Sequence, residues 1–218
     1  MLDFFRSTVG KKYVMGITGL IWAGFVLGHM AGNMLIFVSK DAYNAYGHAL
    51  TSGNLIYLIE AVLVGALLAH VACAISLTIG NRRAKPKGYA VVGKGEKATS
   101  VASRTMAAQG SLILAFVILH LVTFKFGTYY ETTVNGVVMR DLARLFVEVF
   151  QNPIYVGWYV VCLILLGFHL SHGVKSIFQS FGILNRANED KVKKLGLAYG
   201  AIVALGFLSQ PIYAFLLN

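Results

Sequence analysis

Six histidines punctuate this chain of 218 residues: His29, His48, His70, His120, His169 and His172. All but His48 fall inside long apolar runs. An ionisable or metal-binding side chain inside a membrane span is costly, faces the bundle interior and marks a functional position by default. The spacing is regular. His29 follows Lys12 by 17 residues and His120 follows Arg104 by 16, while His70 follows Asn54 by 16 and His169 follows Pro153 by 16. At ~1.5 Å per helical residue, the first two lie ~25 Å in from one surface and the other two ~24 Å in from the opposite one.

The elements that position these side chains follow from composition. With 57% hydrophobic and 13% charged residues, the chain is far more apolar than a soluble domain, in which about a quarter of residues are charged. Crossing the ~30 Å hydrocarbon core takes about 20 apolar residues, which places spans at 13–38, 54–80, 106–127, 153–178 and 195–217. The first is too long for a signal-peptide core and lacks a cleavage site, so it is expected to be retained. Residues 134–149 carry Arg140, Asp141, Arg144 and Glu148, too many charges for lipid, and read as a loop whose spacing would suit a short interfacial helix. The expected fold is an all-α integral membrane domain with no repeat or linker. Its first four helices form the histidine-bearing bundle.

The net charge of +10 concerns topology rather than nucleic acid, because the basic residues sit in short gaps between apolar runs. The N-terminal tail, residues 81–105 and residues 175–194 hold fifteen of the nineteen Lys and Arg, whereas Lys40, Lys125, Arg140 and Arg144 share the other side. The positive-inside rule then puts the N-terminus in the cytoplasm and the C-terminus outside. The connection from Arg82 to Lys97, with Pro86, Gly88, Gly93 and Gly95, reads as a basic surface loop.

Four helices that each supply one histidine, in two layers, make a pattern for two bis-histidine haems in a bundle core. His29 and His120 would hold one iron nearer the outside, and His70 and His169 the other nearer the cytoplasm. No CxxCH is present, so the haems are expected to be non-covalent; Cys73 and Cys162 read as core residues. His172 is one turn from His169 on nearly the same face, and depth favours His169 as the ligand, with His172 as a neighbour that could bond a propionate or a quinone. Gly24, Gly28, Ala66, Ala69, Ala72 and Gly173 could leave room for the macrocycle, though small residues also mediate ordinary helix packing. Two other classes compete: a transporter, which would favour broken helices and midplane polar residues, and a haem-free structural anchor.

The motifs GLIWAGFVLGHMAGN, AYNAYGHALTS, LLAHVACAISL, VILHLVTF and NPIYVGWYVVCLILLGFHLSHGVKSIFQSFGI resemble the membrane-anchor cytochrome b subunit of succinate:quinone oxidoreductases, of the single-polypeptide, diheme type. The likeness covers nearly the whole chain. In it His169, and not His172, takes the place of the axial ligand. The resemblance implies two haems b, a flavoprotein subunit interconverting succinate and fumarate, an iron–sulfur subunit, and a quinone, with the partners on the cytoplasmic side of a bacterial inner membrane. Gly167 and Leu170 stand where some diheme fumarate reductases carry a glutamate, so a succinate:menaquinone reductase fits better than a quinol:fumarate reductase running in reverse.

Quinone chemistry needs a proton donor or acceptor. Glu60, the one acidic residue inside a predicted span, resembles a family glutamate and is the candidate; the bland alternative is a hydrogen-bonded residue near the interface. His48, with Tyr46 and Asn33 near in sequence, is a further candidate for a quinone or propionate contact. Lys175 is expected either to pair with an inner propionate or to snorkel. The basic loops would suit anionic lipid as readily as a partner protein.

Overall fold

Ser7 begins the first long helix: its backbone is extended and its side-chain oxygen accepts the Gly10 N–H at 3.0 Å, satisfying one of the orphan donors of a helix start. The helix then runs through Lys11 and Lys12 into an apolar stretch. In a computed structural model that describes residues 2–84 and 101–216, without the side chains of residues 2 and 101–104, the order is α1 (Leu2–Arg6), α2 (Thr8–Asn33), a 3-10 turn (Met34–Phe37), α3 (Lys40–Thr51), α4 (Leu55–Ala84), α5 (Val101–His120), a π turn (Leu121–Lys125), β1 (Glu131–Val134), β2 (Val137–Arg140), α6 (Leu142–Phe150), α7 (Pro153–Ser180) and α8 (Glu189–Leu216).

Five stretches are long and apolar enough to cross a membrane: Thr8–Phe37, Leu55–Ala84, Thr105–Lys125, Pro153–Ser180 and Glu189–Leu216. They correspond one for one to the five expected spans. The basic connection falls mostly within residues 85–100, outside the described residues, as does the last residue of the expected fifth span. Large apolar side chains point away from the protein along these helices, Leu58 at 62% and Leu68 at 66% exposed, as lipid-facing positions of a multi-pass membrane protein do.

α2, α4, α5 and α7 carry the four histidines, and α8 packs closely against α7 and also against α2. Small residues make the α7/α8 contact. A Cβ on Gly196 would stand 2.6 Å from the Ser171 carbonyl, one on Gly200 would run into the Gly167 carbonyl, and one on Gly167 would meet Ala204 at 2.9 Å. This is the small-xxx-small packing of membrane helices. Tyr199 donates to the Ala23 carbonyl at 2.6 Å and Gln210 to the Met30 carbonyl at 3.4 Å, fixing α8 on α2. By contrast α4 leans on α2 and scarcely touches α5.

The all-α expectation needs one correction, since an antiparallel hairpin precedes α6. Asn135 (φ 49°) and Gly136 (φ 79°) turn the chain between Val134 and Val137, the left-handed pair that a two-residue hairpin turn demands. The stretch expected to be a loop is therefore hairpin plus helix. α3, the hairpin and α6 cap one end of the bundle. Buried Asn44 on α3 donates to Asp141 Oδ1 and accepts from the Ala143 N–H, both at 2.9 Å, while Asp141 Oδ1 also accepts the Arg144 N–H at 3.0 Å at the start of α6. Beneath lies an aromatic core of Phe124, Phe146, Phe150 and Tyr159.

Candidate metal centre between paired histidines

His29 lies near the capped end of α2 and His120 closes α5 where the helix widens into the π turn, marked by the Phe126 N–H reaching the Leu121 carbonyl at 2.9 Å. Such turns recur at functional sites. The two rings meet with centroids 5.8 Å apart and planes at 85°. Imidazole nitrogens bind metals at about 2.0–2.1 Å, so an ion flanked by two of them, with half a ring on either side, separates the centroids by roughly 6 Å. The pair stands at that separation. Phe25 stacks on His29, and Phe116, Phe124 and Tyr159 surround His120.

Each ring has a polar partner. Tyr159 Oη lies 3.1 Å from His120 Nδ1. Asn33 Nδ2 lies 3.2 Å from His29 Nε2 and donates to the His29 carbonyl at 2.9 Å, while its Oδ1 accepts from Tyr43 at 2.8 Å. An amide nitrogen only donates, so His29 Nε2 carries the lone pair. Burial pushes the Tyr43 phenol above its ordinary range, keeping it a donor to Asn33.

The second level lies toward the other end. His70 Nδ1 sits 3.0 Å from Thr18 Oγ1, and Gly19 also abuts the ring. His169 lies against Gly110 of α5, with its Nδ1 buried and unpartnered. The intervals Gly110 to His120 and Tyr159 to His169 are each ten residues, and Thr18 to His29 is eleven, so three helices separate the two levels by ~15–17 Å.

The donor set suits metals held between two imidazoles. Among the described residues no group of three or more His, Cys, Asp or Glu gathers as a polydentate protein site would require. Space is open at Gly24, Gly28 and Gly173, where a Cβ would meet nothing within 4 Å. Ala66 behaves differently, being the buried residue of α4, so it serves packing rather than space. The sparse α4/α5 contact leaves that flank of the bundle open. These features fit a flat macrocycle carrying its own iron.

Glu60 forms an ion pair with Lys125 at the end of the π turn, with both side chains more than a third exposed. The pair joins α4 to the turn after α5 and sets Glu60 on the α4/α5 flank. Lys175 pairs with the exposed Glu189 of α8 at 2.7 Å. His48 is half-buried on α3, and among the described residues no hydrogen bond or ring contact joins it to His29 or His120. Cys162 is buried and Cys73 half-buried, both free thiols. Thr18 and Tyr159 were missed as ring partners in the sequence, as was Tyr43 as the donor to Asn33, and Asn33 was named there only beside His48. The pairs Thr18–His70 and Tyr159–His120 span 52 and 39 residues, beyond the reach of any local pattern. No family model, curated protein or solved structure matches this chain.

Proposed function

We propose that the chain is the diheme cytochrome b membrane anchor of a succinate:quinone oxidoreductase. The observation that carries the reading is the meeting of His29 and His120 from α2 and α5, at a separation suited to one metal between them. His70 and His169 on the alternate helices α4 and α7 support a second such centre. When bound, the two haems b would pass single electrons between an iron–sulfur partner subunit, itself supplied by a flavoprotein subunit, and a membrane quinone, menaquinone on the family resemblance.

In this reading the chain's own residues do four things. The four imidazoles hold the cofactors at two depths. Thr18 and Tyr159 stand beside the rings of His70 and His120, as outer partners of metal-bound histidines do, while Asn33, whose amide donates to His29 Nε2, would turn aside to free that lone pair for a metal. The aromatic cluster of Phe116, Phe124, Phe146 and Phe150 keeps water from the level near the capped end. Glu60, at the open α4/α5 flank beside Lys125, is placed to hold and exchange protons with a quinone arriving from the lipid. The basic N-terminus, the end of α4 and the start of α8 would face the cytoplasm of a bacterial inner membrane, where the two partner subunits would dock.

The reading is tested by a reduced-minus-oxidised visible spectrum of the full-length chain purified with whatever subunits accompany it. A low-spin haem b spectrum, with flavoprotein and iron–sulfur subunits co-purifying, is expected. A spectrum without haem bands refutes it.

A further inference from the structure

Thr18 is buried on α2 at 6% exposure. Its Oγ1 lies 2.7 Å from the Val14 carbonyl, 3.2 Å from the Met15 carbonyl and 3.0 Å from His70 Nδ1. A hydroxyl has one proton, and carbonyl oxygens only accept. The proton is committed to the preceding turn of α2, with Val14 the nearer acceptor, so toward His70 the oxygen has only a lone pair to offer. His70 Nδ1 must therefore be the donor. A neutral imidazole carries a single N–H, which leaves Nε2 with the lone pair that a metal needs. The other rings are held differently: among the described residues Tyr159 Oη has one hydrogen-bond partner, His120 Nδ1, and so can act either way, and His169 Nδ1 has none.

The geometry points to Thr18 as a positioning residue that fixes the tautomer of His70 and, through it, the electron donation of that imidazole to an iron; the second half rests on the diheme reading above. An accepted hydrogen bond on Nδ1–H makes the ring a stronger donor at Nε2 and favours the ferric state, lowering the reduction potential of that centre. The helix back-bond is integral to the device, because without it the threonine proton could turn to Nδ1 and place the imidazole proton on Nε2. Ser/Thr back-bonding of this kind is familiar in helices; here its free lone pair faces a histidine of another helix.

The test uses the full-length chain with Thr18→Val, which keeps shape and removes the hydroxyl, and Thr18→Ser, which restores it. In redox titrations followed by visible absorption, Thr18→Val is expected to raise the potential of one haem and leave the other unchanged. It should also weaken retention of that haem about tenfold or more, whereas Thr18→Ser behaves as wild type. Unchanged potentials in Thr18→Val, or equal shifts in both variants, overturn the inference. Nitrogen-15 NMR of histidine-labelled, haem-free full-length chain reads the tautomer directly: His70 is expected as Nδ1–H in the wild type and in Thr18→Ser. An Nε2–H signal in the wild type overturns the inference whatever the haem content. A wild-type chain that binds no haem refutes the diheme reading, while the NMR signal still decides the role of Thr18.

Discussion

An imidazole in a bilayer must have a partner, and the partners found here divide the histidines by role. His29, His70 and His120 are held by Asn33, Thr18 and Tyr159, while His169 faces Gly110 with a free Nδ1. Helix depth distinguished His169 from His172 in the sequence, and the interval of ten residues from Tyr159, level with His120, places His169 at the second tier. His169→Ala is therefore expected to lose one of two haems and His172→Ala to keep both, as counted from the visible spectrum of each purified variant. Loss of a haem in His172→Ala alone reverses the assignment. At Glu60 the ion pair with Lys125 permits two roles, which a pair of variants separates. If Glu60 exchanges protons with quinone, Glu60→Gln slows quinone reduction about tenfold and Lys125→Met has a smaller effect, with both haem spectra unchanged. Equal small effects in the two would reduce the pair to an exposed salt bridge worth ~0–1 kcal/mol.

Hydropathy located the five helices because a span is a property of some 20 neighbouring residues, legible in any window of that length. It placed the ends less well. α2 begins at Thr8 rather than near 13 because Ser7 caps it and the helix tolerates Lys11 and Lys12 in its first turns, and α8 begins at Glu189 for want of any breaker before the apolar run. The hairpin carries a local signal, Asn135–Gly136 between valines, whereas the charges around it exclude the segment from lipid without specifying its structure. The α7/α8 seam belongs to this scale too. Gly200→Leu would drive a side chain into the Gly167 carbonyl and Ser171, and overpacking against backbone is expected to cost about 1–3 kcal/mol. A lowered melting temperature in detergent checks it, with Gly80→Ala as a neutral control because a Cβ there meets nothing within 4 Å. Asn44→Ala strips both partners of the α3/α6 clasp and is expected to cost about 1–3 kcal/mol, seen as faster proteolysis of the cap.

Over the whole molecule, the proposed diheme reading rests on alternation. Helices of opposite direction enter from opposite surfaces, so histidines at similar distances from their own starts fall into two tiers, one on α2 and α5 and the other on α4 and α7. The intervals behind that expected tiering can be counted along the helices. The polar partners of the rings could not be counted in this way, since Thr18 and Tyr159 act across separations of 52 and 39 residues that only the folded bundle closes. The most direct measurement is the pyridine haemochrome assay on the purified full-length chain, with protein quantified by amino-acid analysis. The account predicts a ratio near two haems b per chain, falling to one in His29→Ala. A wild-type ratio near zero or one would contradict it.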